Sequence, residues 1–538
     1  MKKKAILYTS NFEKLATLAQ YLVHDNWEIL SAGKTASFLE DNNIPYTLTK
    51  QLEGNANSDD GFLILAHMIL ASGRNLLSSS IYTESVVSLV CMNVQPWMRK
   101  VDDFREIENT DNCFDLKGTT LLLSAAKNYM NVVTLCDPLD YQEAIIQLKT
   151  ESMTSDYRLY LASKAMNQVA AYNASTSMSI LSELAPHTPP RYALLPYKFE
   201  GMLAHGINNQ QKGLLFSLNN QKGALSGMRK IQGKEMNWAL YENCMAAWKT
   251  ISLFTTVLKN SFTVESFDVN DYPFTTQFTP ASGSVFTIAI KNTNPVGAAL
   301  GDSLITSFRK SYSCDEEAFA GATLGCSSIV DAEAAREFVK IDFRAIIAPD
   351  YTAEAKEILS EREDMRLVIA SKHASNLHDF SVIDGGLLVQ TLDKTFFEKL
   401  KVVTEKRPSQ QQMDAMAFGI MLAMVAKSDS AIVVNDFAAI GISVGNTSRR
   451  RAVRYALDEA MSYFRKNADN NLISHDQNSE ILVSDSVINF DEFTKNVANA
   501  GVKAILQTGG SDTDAEFIQY CNEHDIAMVF TGIQHLAI

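Results

Sequence analysis

The sequence predicts an α/β protein of two or more domains, and three observations carry that reading. Its 538 residues exceed what one compact core serves. Near the start, an apolar run at Lys4–Tyr8 is followed by helical spacing of Leu15, Leu18, Ala19 and Leu22, then by a second apolar run at Trp27–Leu30. The second run ends in Ser31-Ala32-Gly33-Lys34-Thr35, where another helix is expected to begin. Strands alternating with helices, with polar loops at strand ends, are the grammar of a parallel sheet.

Further strands are expected at Val86–Val90 and Val132–Leu135, the latter closing in Asp137-Pro138 before a helix from Tyr141. A helical stretch from Tyr157 to Glu183 runs into Pro186-His187-Thr188-Pro189-Pro190, whose prolines neither continue a helix nor donate to a ladder. That break divides the chain into domains 1–186 and 187–538. The second carries strand runs at Phe286–Ile290, Ala345–Ala348, Leu367–Ile369, Gly386–Gln390, Ala431–Val434, Ile440–Val444, Ile481–Val483, Ala504–Gln507 and Ala527–Phe530. At about 350 residues it is long for one α/β layer, so two sub-domains are expected.

Apolar residues make up 46% and charged residues 20%, the mix of a globular protein. The formal net charge of −14 disfavours nucleic acid or an anionic membrane as the main partner, while a local cationic pocket can still hold a small phosphorylated ligand. The apolar run after Lys2-Lys3-Lys4 is too short for a signal-peptide core, and no run nears the twenty residues that span a bilayer, so a soluble cytoplasmic protein is expected. Seven scattered cysteines without a C-x-x-C pair, and nine histidines without ligand spacing, indicate neither a disulfide framework nor a metal site.

Gly33-Lys34-Thr35 invites a P-loop reading, which fails because Glu28 stands where the first glycine belongs. The loop can still hold one phosphate at a helix N-terminus, and plain helix capping explains it as well. His67, inside an apolar run, reads as an ordinary helix or core residue. The most informative segment is Ile288–Gly297. An apolar strand ends in Lys291, Asn292, Asn294, Pro295 and Gly297, polar groups at a strand end where α/β enzymes place their sites, or else an ordinary turn.

This segment resembles the Lys-His-x-x-Pro-x-Gly loop in the AICAR transformylase half of the bifunctional purine-biosynthesis enzymes. Other segments agree in order: Gln232–Asn237, Ile347–Asp350, Gly385–Gln390, Val403–Pro408, Lys427–Asp429, Gly441–Gly445 with Ser448-Arg449, Gly509–Ser511 and Ala527–Gly532. The first half is similar to the IMP cyclohydrolase domain: Ser31–Thr35 resembles its Ser-Thr-Gly-Gly-Thr phosphate loop, and Asp115 with Lys127 its catalytic Asp and Lys. The family's Arg-Val-Lys-Thr-Leu-His-Pro segment has no counterpart, and Asn93–Trp97 replaces Asn-Leu-Tyr-Pro-Phe.

The resemblance implies a methylglyoxal-synthase-like first domain and a transformylase domain of two cytidine-deaminase-like sub-domains. It implies formyl transfer from 10-formyltetrahydrofolate, a co-substrate, to AICAR, cyclisation of FAICAR to IMP, and a homodimer. Lys291 and position 292 would be catalytic, but Asn292 replaces the histidine and cannot take a proton at neutral pH. Losing a general base removes about a hundred- to ten-thousand-fold of rate, unless a buried Lys291 acts instead. Arg191, Tyr192, Gly297, Asp315, Phe319, Asp429 and Arg449 would bind substrate, as would Ser31, Gly33, Lys34 and Thr35 in the first half; Glu492 would contact folate. Ala193, Leu195, Tyr197 and Lys198 depart from the motif that follows Arg191-Tyr192, Asp429 replaces an asparagine, and Gln534 an arginine. These departures, with the missing basic segment, leave the cyclohydrolase less well supplied than the transferase. A second reading is a non-catalytic or regulatory homologue that keeps the fold and nucleotide binding.

Overall fold

A computed structural model describes residues 2–49, 61–73, 87–94, 115–184, 188–218, 223–257, 261–265, 274–277, 284–371, 378–397, 399–466, 480–491 and 494–537. The chain divides into two compact units, residues 1–199 with 216–221, and residues 200–215 with 222–538.

The first unit runs β1 (Lys4–Tyr8), α1 (Leu15–His24), β2 (Glu28–Ser31), α2 (Gly33–Asp41), β3 (Thr47–Leu48), α3 (Gly61–Ala71), β4 (Val87–Met92), α4 (Leu116–Lys127), β5 (Val133–Leu135), α5 (Tyr141–Lys149) and α6 (Ser155–Leu184). Its strands form a parallel sheet in the order β3-β2-β1-β4-β5. Alternation of side chains explains why its strands are apolar throughout. Ala5, Leu7, Ile29, Leu89 and Cys91 pack under α1 and α5, while Ile6, Leu30, Val90 and Met92 pack under α3, α4 and α6. The order reverses between β1 and β4, which opens a crevice at the carboxyl ends of those two strands. His67 lies on the exposed face of α3.

A two-stranded sheet of β6 (Tyr197–Met202) and β7 (Leu214–Leu218) comes next in the chain. The second unit then builds one half from β8 (Met228–Gln232), α7 (Trp238–Val257), β9 (Ser261–Glu265), β10 (Phe274–Gln277), β11 (Val285–Lys291), β12 (Asn294–Gly301), α8 (Leu304–Cys314), α9 (Glu316–Phe319), β13 (Thr323–Cys326), α10 (Ala332–Phe338), β14 (Ala345–Ala348), α11 (Ala353–Leu359) and β15 (Arg366–Ala370). After the ribbon β16 (His378–Ile383) and β17 (Gly386–Thr391), the other half follows: β18 (Lys399–Val402), α12 (Gln410–Ala423), β19 (Ala431–Asn435), β20 (Ala438–Ser443), α13 (Arg449–Lys466), β21 (Ile481–Ser484), α14 (Asn496–Asn499), β22 (Ala504–Gln507), α15 (Asp514–Glu523) and β23 (Ala527–Phe530).

The halves repeat one plan. Each has a hairpin (β11–β12, β19–β20), an antiparallel step to the next strand, two parallel steps, and an antiparallel last strand, which is the sheet edge at β8 but is extended at β18 by β9 and β10. The two hairpins meet where Ala299 pairs with Ala438, so both halves share one large mixed sheet. One face lies under α7 and α12; the other lies under α8, α10 and α11 in one half and α13 and α15 in the other.

Two of the expected strands form with features that the sequence did not specify. The strand ending at Ile290 does not stop at a polar loop but turns through Asn292 and Thr293 and returns as β12, with Val296 extra in a register shift between Ala289 and Ile290. Both turn residues have positive φ, 52° and 65°, which asparagine tolerates well. Pro295 sits beside the shift, where its missing N–H leaves no gap in the regular ladder. Gly386–Gln390 belongs to an isolated, mostly exposed ribbon rather than to the main sheet.

Candidate active sites

In the first unit, polar residues gather at the carboxyl end of the sheet, across the β1/β4 crevice. Ser10 donates its amide at 2.7 Å and its hydroxyl at 2.9 Å to Asn93 Oδ1, tying the ends of β1 and β4 together. Gly33, with φ of 55°, opens α2 without a side-chain cap, leaving the backbone amides of its first turn for an anion; Lys34 is exposed beside them. The hydroxyls of Ser31 and Thr35 are turned inward. Ser31 Oγ donates to Leu7 O at 2.9 Å, and Thr35 Oγ1 donates to Thr9 O and accepts Thr9 N, both at 3.0 Å. They shape the loop, and the groups left turned outward are the amides and Lys34.

Asp115 caps α4, accepting Gly118 N at 2.8 Å, while its own amide donates to Tyr172 Oη at 2.8 Å. Burial, and then the Asp115 charge, hold the Tyr8 phenol above its ordinary value, so it stays protonated at neutral pH. Lys127 is exposed at the far end of α4. A helical rise of 1.5 Å per residue puts about 18 Å of helix axis between Asp115 and Lys127.

In the second unit, the β11–β12 tip carries Lys291, half-buried, whose Nζ donates to Ala320 O at 3.0 Å. Asn292 is exposed at the turn. Asn294 Oδ1 accepts Lys427 N at 2.9 Å, which joins the tip to the Lys427–Asp429 loop. Asp429 in turn faces Arg449 at the start of α13, with Nε 3.9 Å from Oδ1. Amide bonds between Asp429 and Asn446, 3.1 Å in each direction, hold that loop against the residues before α13. Lys291, Asp429 and Arg449 are thus carried by one connected stretch of polar backbone.

Other expected ligands are placed differently. Phe319 is 0% exposed, inside an aromatic cluster with Phe308, Tyr312 and Phe343. Gly297 is buried directly against it, so this pair packs α8 and α9 on the sheet and offers no surface to a substrate. Asp315 is exposed and caps α9 through Ala318 N at 3.1 Å. Arg191 and Tyr192, both exposed, stack on one another in the first unit. Glu492 lies outside the described residues.

The family model for the AICARFT/IMPCHase bienzyme matches residues 125–459. The chain belongs to that family. Among its relatives, the "Bifunctional purine biosynthesis protein PurH" of Brachyspira hyodysenteriae is 30% identical over 546 residues, and that of Clostridium acetobutylicum 28% over 544, each alignment covering 99% of both chains. A solved structure titled "Crystal structure of ForH" is 24% identical, covers 33% of this chain and 98% of its own, and has a TM-score of 0.30.

Within this AICARFT/IMPCHase chain, the reading of the residues missed a buried hub. Asp485, 1% exposed, accepts Ser428 Oγ at 2.7 Å and Ser430 N at 3.0 Å, and burial raises its carboxyl pKa. Ser428 also bonds the C-terminal segment, accepting Ala537 N at 3.0 Å, while His535 packs inward on Asp393 and Phe396 O. Nothing in Ser428 or Asp485 taken singly announces this, since strands far apart in sequence assemble it. Gln534 is exposed.

Proposed function

We propose that this protein acts in de novo purine biosynthesis, transferring the formyl group of 10-formyltetrahydrofolate to the amine of AICAR. The observation that carries the reading is the run from Lys291 through Asn294 and Lys427 to Asp429 and Arg449, which sets a cation for the reaction close in the chain's polar framework to a cation for a phosphate. In the reaction the AICAR amine attacks the formyl carbon, the C–N bond to folate N10 breaks, and the amine proton leaves as N10 takes one up, giving FAICAR and tetrahydrofolate. Lys291 stabilises the negative charge that grows on the formyl oxygen. Arg449 holds the ribotide phosphate. Asn292 donates or accepts hydrogen bonds but takes no proton, so the base is Lys291 or water. Asp429, where the family has an asparagine, keeps an acceptor beside Arg449.

Cyclisation of FAICAR is assigned to the β1/β4 crevice. Amide nitrogen attacks formyl carbon, and loss of water gives IMP. The α2 amides and Lys34 receive the phosphate, and Tyr8, Ser10, Asn93 and Asp115 surround the remaining space. Its missing basic segment makes this the slower activity. The parallel first sheet supports a methylglyoxal-synthase-like domain, and the repeated halves of the second unit support two cytidine-deaminase-like sub-domains. Exposed Phe199, Met202, Val382 and Leu388 on the two ribbons, each too small to stand alone, favour a homodimer. No helix among the described residues is long and apolar enough to cross a membrane, in keeping with a cytoplasmic enzyme.

The test is a spectrophotometric assay of purified protein with AICAR and 10-formyltetrahydrofolate across pH. Formation of tetrahydrofolate that depends on AICAR is expected; binding of both without turnover at any pH would instead make it a fold-retaining homologue.

A further inference from the structure

The tip that carries Lys291 needs a partner that its own hairpin does not supply. In a two-residue antiparallel turn the ladder closes at the flanking pair, here Lys291 with Asn294, and the amide of the second turn residue points out of the ladder. That amide belongs to Thr293. It donates at 2.8 Å to Asn243 Oδ1, from a side chain on α7 that is only 8% exposed.

Thr293 is also the wrong residue for its conformation. With φ of 65° it lies in the left-handed region, which a β-branched side chain adopts reluctantly and keeps only where its surroundings enforce it. The inner bonds of the turn do not reach outside it: Thr293 Oγ1 donates to Asn292 O at 2.6 Å, and Asn294 Nδ2 to the same oxygen at 3.2 Å. Two bonds do. Asn243 pins one side of the tip to α7, and Asn294 Oδ1 pins the other to Lys427 N at 2.9 Å.

We propose that Asn243 is a positioning residue for formyl transfer, its side-chain oxygen holding the strained Asn292-Thr293 turn so that Lys291 faces the reacting formyl group. The inference rests on the transferase reading of Lys291. Strain and anchor form a matched pair: a glycine at 293 would take the same φ unaided.

The test compares Asn243→Ala, Asn243→Asp, Thr293→Gly and the Asn243→Ala/Thr293→Gly double variant in the full chain, by kcat and KM for AICAR and by amide hydrogen exchange over residues 290–295. Asn243→Ala is expected to lower kcat about ten- to a hundredfold with KM for AICAR within about twofold, and to speed exchange at the tip. Asn243→Asp keeps an acceptor and should hold both near the parent values. Thr293→Gly should recover part of the rate lost by Asn243→Ala, which a packing role for Asn243 would not allow. Unchanged tip exchange in Asn243→Ala, or a rate loss that glycine does not repair, overturns the proposal. If the parent chain transfers no formyl group, the transferase reading fails by itself, and exchange alone then decides whether Asn243 holds the turn. Should Asn243→Ala not fold, Asn243→Ser, with its shorter reach, takes its place.

Discussion

Gly297 leaves no room beside Phe319: a β-carbon on the glycine would stand 2.8 Å from Phe319 Cζ and 2.8 Å from the Ser311 carbonyl oxygen. The other half repeats the device, since a β-carbon on Gly441 would run into the Ala456 carbonyl oxygen. Each glycine lets a helix backbone lie close on a hairpin strand. Gly297→Ala is therefore expected to lose stability by roughly 1–3 kcal/mol, the range for overpacking, and Gly441→Ala at least as much because backbone cannot step aside. Thermal denaturation checks this against Gly201→Ala, where the new β-carbon meets nothing within 4 Å and the melting temperature should stay put.

Lys291 and Arg449 are expected to separate rate from binding. On the proposed transferase reading, Lys291→Ala removes charge needed as the formyl oxygen turns negative, so kcat should fall about a hundredfold or more with KM for AICAR little changed. On the same reading, Arg449→Ala removes the proposed phosphate contact, one felt in ground and transition states alike, so KM should rise while kcat holds. Steady-state kinetics with both substrates varied reads the split, and equal loss of kcat in both variants would place Arg449 at the reacting centre instead.

In the first unit, substitution can part the capping role of Asp115 from the role in cyclisation proposed for it. Its side chain caps α4 through Gly118 N at 2.8 Å, so Asp115→Ala should cost about 1 kcal/mol of stability together with cyclisation of FAICAR. Asp115→Ser keeps a cap and loses the carboxylate: melting near the parent value with cyclisation still lost is the expected result. Lys127→Ala, at the other end of the helix, should leave α4 and its cap intact.

Much of the sheet was legible in the sequence. Ala345–Ala348, Ala504–Gln507 and Ala527–Phe530 are short apolar runs because both faces of each strand are covered, and their bounds agree with expectation. β12 was not legible, because Pro295, Gly297 and Gly301 read as punctuation. Their presence is set by a register shift and by close helix packing, both tertiary facts. Gly297-x-x-x-Gly301-Asp-Ser and Gly441-x-x-x-Gly445-Asn-Thr mark the two halves in the sequence, at a spacing far beyond short repeats. Of the site, residue types were readable and directions were not: Thr35 and Phe319 point inward, and a separation in sequence that suited Asp115 and Lys127 becomes the length of a helix.

Glu480, at the entry to β21, gives a pH dependence with a definite sign. It is 7% exposed, and burial, eased in part by Lys503, raises its carboxyl pKa from 4.5 to about 7. A carboxyl raised on folding favours the folded state while protonated, so its contribution is complete below about 4.5 and is lost as pH climbs through about 7. The span between those values sets an upper bound of roughly 3 kcal/mol. Wild-type melting should accordingly fall between pH 5 and pH 8 by more than that of Glu480→Gln, whose neutral amide fills the same space without ionising. The variant's advantage should appear at pH 8 and vanish near pH 5; parallel melting curves for the two proteins across that range would mean that the carboxylate is hydrated and its pKa ordinary.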